Sequence, residues 1–339
     1  MARQLQKAIL YVLKLEDSSG GPIPPFYKIG ITTDTVEKRI RQLQTGNPFR
    51  IVPHMTFVIE GAELVERHLH RMFTNNRRIL EWFALSDDEL SEVLSEAERF
   101  RDEVEDLVVA VRALDETYSD DEMIDPTSEA TALHQESVRL HAEKIQNDLR
   151  MKEAKAQILK LTDDSKGIEG ISQVSIYSPK TSFRKADLKK QEPKLYDQYM
   201  TLSEFKSSLK VIGQHTPSKF PKLYDANKAA QAQVPTVSPD DVKDEYLKRT
   251  NDAVQLHTSY IMMASDNGLI ERDLTMVRMK LKVICGGARG IKGVCEYVRE
   301  DRLAFDVDKF KVEHPDVHSR FTTMGSTTRR ATVKRSRDY

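Results

Sequence analysis

The sequence predicts an α+β protein in which a small antiparallel sheet with flanking helices precedes a helical connector and two related small α+β modules. Three observations lead to this fold class. Apolar residues alternate along residues 9–15, as in a strand. Apolar residues recur at helical spacing over residues 86–116, and two later segments resemble each other about 122 residues apart. The length of 339 residues is enough for roughly two to three domains.

Composition indicates a globular chain with an uneven distribution of charge. Hydrophobic residues make up 39% and charged residues 31%, and the formal net charge is −1. Residues 1–85 carry twelve Lys and Arg against eight Asp and Glu, whereas residues 86–125 carry three Arg against sixteen acids. The C-terminal RRATVKRSRDY is basic again. Basic ends favour a nucleic-acid partner, although a solvated surface is the simpler interpretation of any single charge run.

Cysteine content and hydropathy predict a protein of a reducing compartment. The two cysteines, Cys285 and Cys295, make neither a disulfide framework nor a CxxC metal pattern. No apolar run reaches the ~18 residues that span a bilayer. Lys14 interrupts the short apolar run near the N-terminus, which argues against a signal peptide. We therefore expect a cytoplasmic protein of a bacterial host cell, without membrane contact.

Local patterns predict the order of the N-terminal elements. After the strand at residues 9–15, a stretch rich in Gly, Ser and Pro predicts a turn, and residues 26–31 predict the second strand of a hairpin, in which Gly30 allows close backbone approach. Asp34 or Thr35 is expected to cap a helix with apolar residues at 36, 40 and 43. IVPHMTFVI predicts a third strand, at a sheet edge because proline cannot donate a ladder hydrogen bond.

A second predicted helix, AELVERHLHRMF, places two polar residues on one face. Glu66 and His70 are four residues apart and therefore share a side of the helix. A zinc site with His68 and His70 lacks a second cluster of ligands, so we do not expect zinc. Trp82 and Phe83 are expected to pack on the core.

The run YKIGIT…QLQTGNP…E…LH…F…EWF resembles the GIY-YIG endonuclease superfamily, and in particular its phage branch, often labelled a bacteriophage T-five-type DNA-binding domain. The resemblance covers residues 8–85. It places Tyr11 on the first strand and the second triplet at residues 28–30. It implies a GIY-YIG-like fold in which Tyr11, Arg39 and Glu66 share a site and Glu66 binds the metal ion.

The sequence departs from the superfamily pattern at three places. Lys28 stands where the classical nucleases have a second tyrosine, with Tyr27 beside it; Leu43 stands where many have a histidine; and no asparagine has a clear equivalent near Trp82. The candidate catalytic residues are Tyr11, Tyr27, Lys28, Arg39, Glu66 and His70. The candidate DNA contacts are Lys28, Lys38, Arg39, Arg41 and Arg67.

The reaction that would use this set is metal-assisted phosphodiester hydrolysis. Mg²⁺ takes oxygen ligands and keeps several waters, so Glu66 alone could anchor it. Arg39 would balance charge on the phosphate, and Tyr11 would position or deprotonate the attacking water. The simpler alternatives are a core tyrosine at position 11 and surface charges at Arg39 and Glu66.

The remainder of the chain contains an internal repeat. Residues 167–170 (GIEG) align with residues 290–293 (GIKG), and each copy predicts helix, glycine turn, strand, short helix and strand. The C-terminal segments are weakly similar to those of phage recombination exonucleases, a similarity from which we transfer no chemistry. Recurring Lys and Arg would add avidity for DNA; a module for protein partners or dimerisation is nearly as well supported.

The predicted division has five parts: 1–85, a DNA-binding or nuclease-like domain; 86–128, an acidic amphipathic helix and loop; 129–212, the first repeat module; 213–240, a linker; and 241–339, the second module with a basic tail. Within the last part, a helix over 241–283 is expected to break near SDNG.

Two functions follow from these patterns. The first is a DNA-binding protein of phage or mobile-element type, with Mg²⁺-dependent nicking or cleavage by the N-terminal domain. The alternative is a non-catalytic protein-interaction or assembly factor in phage DNA metabolism. A weaker third hypothesis is that the acidic helix interferes with a host DNA-binding protein.

Overall fold

The structure, a computed structural model, describes residues 7–17, 21–213 and 217–334. It is 53% helical and 25% strand, which confirms the α+β fold class. Within the described ranges, every helix is too short or too polar to cross a membrane. Residues 335–339 of the predicted basic tail lie outside the described residues.

The strands and helices run along the chain in the order β1 (Lys7–Glu16), β2 (Pro22–Thr32), α1 (Val36–Gln44), β3 (Arg50–Glu60), α2 (Ala62–Met72), β4 (Arg77–Ile79), β5 (Trp82–Ala84), α3 (Asp87–Asp115), β6 (Met123–Ile124), α4 (Ser128–Thr162), β7 (Gly167–Ile168), β8 (Ser172–Tyr177), β9 (Thr181–Phe183), α5 (Lys185–Gln191), α6 (Pro193–Gln198), β10 (Met200–Val211), α7 (Pro221–Ala232), β11 (Tyr246–Leu247), α8 (Asn251–Cys285), β12 (Gly290–Ile291), β13 (Cys295–Phe305), α9 (Val307–Glu313), α10 (Pro315–Arg320), β14 (Thr322–Met324) and β15 (Thr328–Val333).

The chain forms two compact units. Unit 1 comprises Met1–His134 and Glu271–Tyr297, and unit 2 comprises Gln135–Ile270 and Val298–Tyr339. The chain passes between the units inside α4, α8 and β13. The five-part division made from the sequence stays a prediction.

Unit 1 is built on a five-stranded sheet in the order β3-β1-β2-β5-β4. Strand β1 pairs antiparallel with both β2 and β3, and β3 lies at the edge, as its proline predicts. Leu10 and Val12 of β1 belong to one hydrophobic cluster, with residues of α2 and α3. Tyr11 and Leu13 belong to another, with Val36 of α1. Strand β1 is therefore covered on both faces, which explains why its sequence is almost continuously apolar.

Side-chain caps fix where the helices of unit 1 begin. Thr35, one of the two predicted caps, accepts a hydrogen bond from the backbone nitrogen of Lys38 at 3.3 Å through Oγ1. The acidic helix α3 begins at a reciprocal capping box between Ser86 and Glu89. Acidic residues in its first turn also favour the positive end of the helix dipole. The predicted helix over 86–116 is thus confirmed.

Part of the acidic face of α3 is used inside unit 1. Three of its carboxylates contact basic side chains of α2 and α8: Glu96 with His68 at 2.6 Å, Glu103 with Lys280 at 2.8 Å, and Asp115 with Lys282 at 2.7 Å. These carboxylates are therefore structural partners within the fold.

Two sequence-based predictions were wrong, at the start of the second strand and at the break in the last long helix, and the predicted linker contains a helix. The second strand begins at Pro22 rather than Phe26. The predicted linker 213–240 contains α7, which starts at a proline, a residue well suited to a first helical turn. Helix α8 is continuous through the expected break at SDNG, where the Nδ2 atom of Asn267 donates to Oδ1 of Asp148 at 2.7 Å. Tertiary contacts outweigh the poor helix propensity of these residues.

Two stretches of the chain have closely similar element orders. Residues 123–211 contain β6, α4, β7, β8, β9, α5, α6 and β10; residues 246–333 contain β11, α8, β12, β13, α9, α10, β14 and β15. Helices α4 and α8 each have 35 residues. Strand β13 is continuous where β8 and β9 are separate, and β10 is continuous where β14 and β15 are separate.

Candidate functional site

Tyr11 and Gly30 form the base of the candidate site. Tyr11 lies on β1 directly opposite Gly30 on β2, and the tyrosine is only 1% exposed. A Cβ atom added at Gly30 would lie 2.6 Å from the Tyr11 hydroxyl oxygen, far inside a normal contact. Glycine at position 30 therefore leaves the space that the hydroxyl occupies; the close neighbour is the Tyr11 side chain, not the backbone approach that the sequence predicted.

Helix α1 brings Arg39 to this hydroxyl. The Nε atom of Arg39 donates to Oη of Tyr11 at 3.3 Å, and Nη1 donates to Oε1 of Gln42 at 3.2 Å. Burial raises the pKa of the Tyr11 hydroxyl above its ordinary value, although Arg39 opposes the shift. The hydroxyl is therefore protonated at neutral pH, which suits it to orient a water molecule more than to deprotonate one.

Glu66 projects from α2 into a buried position. Its side chain is 8% exposed, and Oε2 accepts from Nη1 of Arg272 at 3.2 Å. Burial raises the pKa of Glu66 to about 7, and the charge of Arg272 works against this rise. Glu66 consequently titrates close to neutral pH.

Lys28 holds a second carboxylate. Its Nζ atom lies 2.5 Å from Oε2 of Glu81 and 6.0 Å from the centre of the Trp82 ring, the residue that Lys28 faces across β2 and β5. Burial by itself raises the pKa of Glu81, but the charge and hydrogen bond of Lys28 outweigh it, and this pKa lies below its ordinary value. Glu81 is therefore an anion at neutral pH.

His70 links α2 to the strand that carries Gly30. Its Nε2 atom lies 2.9 Å from the carbonyl oxygen of Ile29, so Nε2 carries the proton and donates it. Burial lowers the pKa of His70 to about 4, and the ring is neutral at physiological pH. This neutral, fixed ring positions α2 and with it Glu66, which supports a positioning role for His70.

Hydrogen bonds join these residues into one cluster. Arg39 of α1 donates to Tyr11 of β1, and His70, one turn from Glu66 on α2, donates to the carbonyl oxygen of Ile29, which lies between Lys28 and Gly30 on β2. Elements separated along the chain therefore bring four predicted residues together: Tyr11, Lys28, Arg39 and Glu66.

The remaining predicted residues lie around this cluster in different environments. Lys38 and Arg41 are exposed on α1, and Lys38 pairs with Asp34 at 2.9 Å. Tyr27 is half-buried, with its ring edge-on to His54. Lys28 and Arg67 are buried. Of the predicted DNA contacts, Lys38 and Arg41 are thus exposed on α1, whereas Lys28 and Arg67 are enclosed.

Sequence reasoning missed two members of the cluster. Glu81 was visible in the EWF motif but received no role, because its partner Lys28 is 53 residues away. Arg272 lies 206 residues from Glu66, and no local pattern points from one to the other.

The donor set fits a hydrated Mg²⁺ ion better than a fully protein-bound metal. Across the described residues, no group of three or more His, Cys, Asp or Glu side chains is arranged to hold a metal ion. Burial and, to a smaller extent, the charge of Glu81 raise the pKa of Glu66. One or two carboxylates suffice for Mg²⁺, which usually keeps several of its waters.

Comparison with known proteins finds a similarity for the N-terminal part of the chain alone. Neither the curated proteins nor the solved structures gave a match. A protein-family model does match, over a segment that contains Tyr11, Lys28, Arg39, Glu66 and Glu81 and ends inside α3. Residues 8–98 match the T5orf172 domain, a family found in phage and mobile-element proteins and related to GIY-YIG-like endonucleases.

Proposed function

We propose that this protein binds DNA and that its N-terminal domain hydrolyses a phosphodiester bond with Mg²⁺. The observation that carries the proposal is the convergence of Tyr11 from β1, Arg39 from α1 and Glu66 from α2 on one cluster. The match to the T5orf172 domain supports a phage-type DNA-binding or nuclease-like role for the segment 8–98, which contains these residues.

The exposed basic face of α1 supports DNA binding beside this cluster. Lys38 and Arg41 lie on α1, one and two positions from Arg39. Lys and Arg that neutralise phosphates release counterions, so affinity should fall steeply as salt increases. A salt-insensitive interaction would contradict DNA binding through this face.

In the proposed mechanism Glu66 holds the metal ion. A bound Mg²⁺ would polarise a phosphate oxygen and favour ionisation of a bound water. Arg39 would place its guanidinium against the charge that develops on the phosphate. The Tyr11 hydroxyl accepts a hydrogen bond from Arg39, so its own proton would be available to a water or to a phosphate oxygen. The ion pair between Lys28 and Glu81 would hold strand β2 against the segment that leads into β5, beside the site.

The test is incubation of purified full-length protein with supercoiled plasmid and Mg²⁺. Nicking and gel shift are read together for the wild type, for Glu66→Gln and for Glu63→Gln, a matched change on the same helix. We expect nicking by the wild type and by Glu63→Gln, and at least about a hundredfold loss in Glu66→Gln. Equal nicking by Glu66→Gln would remove Glu66 from the mechanism.

A non-catalytic role in phage DNA metabolism is the second candidate. Two observations favour it: Lys28 replaces the second tyrosine of the classical nucleases and is engaged by Glu81, and Arg272 covers Glu66. A gel shift without nicking in all three proteins would favour a DNA-binding protein on a nuclease-like domain. Absence of both signals would direct the search to protein partners.

A further inference from the structure

The C-terminal half of α8 is part of the N-terminal unit, although it lies far downstream in the sequence. Met276 and Met279 pack in the same hydrophobic cluster as Val104 of α3. Three ion pairs fix the helix to α2 and α3: Asp273 with Arg71 at 2.6 Å, Lys280 with Glu103 at 2.8 Å and Lys282 with Asp115 at 2.7 Å. These contacts, between residues 273 and 282, fix the course of the helix that carries Arg272.

Arg272 contacts one carboxylate oxygen of Glu66. Its Nη1 atom lies 3.2 Å from Oε2 of Glu66. The Glu66 side chain is 8% exposed, whereas that of Arg272 is 33% exposed. The guanidinium therefore forms part of the cover that separates this carboxylate from solvent.

We propose that Arg272 is an internal cation that competes with the divalent metal ion for Glu66, an inference that rests on the proposed function of the site. Mg²⁺ binds carboxylate oxygens at about 2.0–2.1 Å. An ion at Oε2 would lie close to the guanidinium that donates to the same atom, and the two positive charges would repel each other. Metal binding then requires Arg272 to turn away.

Arg272 is well suited to such a movement. Its long side chain is one-third exposed and can rotate into water, whereas the helix backbone is held by the surrounding ion pairs. Once turned away, the guanidinium is free to pair with a phosphate, as arginine does in nucleic-acid complexes. Arg272 belongs to α8 and lies outside the segment 8–98 that matches the domain family. The proposed competition for Glu66 therefore depends on a part of the chain beyond that segment.

The experiment measures Mn²⁺ binding to the full-length protein without DNA, from the electron paramagnetic resonance signal of the free ion. The variants are Arg272→Gln, Arg272→Lys, Glu66→Gln and Arg278→Gln, the last being a matched change on the same helix. Arg272 is partly exposed, so the variants should fold; their thermal unfolding is recorded alongside.

We expect Arg272→Gln to lower the Mn²⁺ dissociation constant at least about fivefold, with Arg272→Lys and Arg278→Gln close to the wild type. Equal dissociation constants for the wild type and Arg272→Gln, with binding lost in Glu66→Gln, would overturn this inference and leave the proposed function standing. An equal gain in Arg278→Gln would also overturn it, as a general charge effect. Absence of Mn²⁺ binding in every variant would overturn this inference and the metal-dependent part of the proposed function, and would leave DNA binding to the gel-shift assay.

A second inference concerns residues 123–211 and 246–333, whose glycine turns agree atom by atom. In the first, Thr162 Oγ1 lies 3.2 Å from Ser172 Oγ, which accepts from the Ile168 nitrogen at 3.1 Å. In the second, Cys285 Sγ lies 3.6 Å from Cys295 Sγ, which interacts with the Ile291 backbone.

The glycines at the two turns are required for the same reason. A Cβ at Gly167 would lie 2.2 Å from the carbonyl oxygen of Ser172. A Cβ at Gly290 would lie 2.3 Å from the carbonyl oxygen of Cys295. Both turns therefore need a close backbone approach that only glycine permits.

In the small sheets, the outer strands of each of these two segments pair with the central strands of the other segment. Strand β11 pairs in parallel with β7, and β15 pairs with β8. Strand β6 pairs in parallel with β12, and β10 lies beside β13. We infer that residues 123–211 and 246–333 are two copies of one module, and that each copy supplies the first and last strands beside the central strands of the other.

Engineered disulfides test this exchange of strands. Gln173 on β8 and Thr332 on β15 are register partners and both exposed, so Gln173→Cys with Thr332→Cys should oxidise to an intramolecular disulfide. Gln173→Cys with Ala331→Cys is the control, because neighbouring strand residues point to opposite faces. Peptide mapping should find the bridge in the first pair alone. No bridge, or a bridge only between two molecules, would overturn the inference.

Discussion

Glu66 and Glu81 lie in one electrostatic cluster but take their positive partners from different parts of the chain. Glu81 pairs with Lys28 of the neighbouring strand β2, so this pair is complete within residues 8–98. Glu66 pairs with Arg272 of α8, 206 residues downstream. The first pair belongs to the domain by itself, whereas the second exists only where the remainder of the chain folds back onto that domain.

The pKa values of the two glutamates shift in opposite directions, although each basic partner lowers the pKa of its own carboxylate. The Lys28 contact is short at 2.5 Å, and Glu81 is 36% exposed, so its pKa falls below the ordinary value. The Arg272 contact is longer at 3.2 Å, and Glu66 is 8% exposed, so burial dominates and its pKa rises to about 7. A tight partner stabilises the anion at one site, and burial leaves the other poised to change its charge.

The largest expected effect is an opposite pH dependence of the free energy of unfolding in the variants Glu66→Gln and Glu81→Gln, each compared with the wild type. Glu66 has a folded pKa of about 7 against an ordinary 4.5. The stability it contributes is present below about pH 4.5 and is lost as pH rises through 7, by about 3 kcal/mol at most. Urea denaturation from pH 4.5 to 8 should show wild type losing stability relative to Glu66→Gln.

Glu81 should behave in the opposite sense, because its folded pKa is lowered. Its contribution is present above its ordinary pKa and is lost as pH falls. The difference between wild type and Glu81→Gln should therefore shrink toward acidic pH. If the stability difference between wild type and variant changed with pH in the same direction for Glu66→Gln and Glu81→Gln, the pKa values of the two glutamates would not be shifted in opposite directions.

The next largest effect should come from Lys28→Met, which removes the local pair. We expect the free energy of unfolding at pH 7 to fall by about 2 kcal/mol. This loss is smaller than for a fully buried pair, because the Glu81 side chain is partly exposed to solvent. The double variant Lys28→Met with Glu81→Gln should recover much of the loss. Additive losses in this cycle would show that the pair contributes no coupling.

Residues near in sequence were largely predictable, and the remote partner was not. The strands and helices from β1 to α3 follow from period-two and period-3.6 patterns and from caps such as Thr35 and Ser86. Tyr11, Arg39 and Glu66 were placed together through a resemblance that spans them. Arg272 had no such signal, because its role depends on how α8 packs. The unbroken course of α8 likewise depends on contacts such as that of Asn267 with Asp148.

A smaller effect is expected from Arg272→Gln on stability. The pair is one-third exposed on the arginine side, so its loss should cost about 1 kcal/mol at pH 8. At pH 5 Glu66 is protonated in the folded protein, and the cost should approach zero. Denaturation curves at the two pH values decide this, and an equal cost at both would mean that Arg272 acts through packing.

The smallest effect on stability should come from Tyr11→Phe. The lost hydrogen bond to Arg39 should cost about 0.5–1 kcal/mol, because water can replace the hydroxyl at the partly exposed guanidinium. Nicking, in contrast, should fall at least about a hundredfold if the hydroxyl orients the water. Plasmid assays beside thermal unfolding separate the two roles; unchanged nicking would make Tyr11 a core residue.

The reciprocal outer strands make the connection between β10 and β11 dispensable for holding the modules together. A proteolytic cut after α7, between residues 233 and 238, would leave β6 beside β12 and β11 beside β7. The two fragments would remain associated through pairings that neither can satisfy with its own strands. We therefore expect that the two modules can also assemble from two separate polypeptides, each of which contains one module.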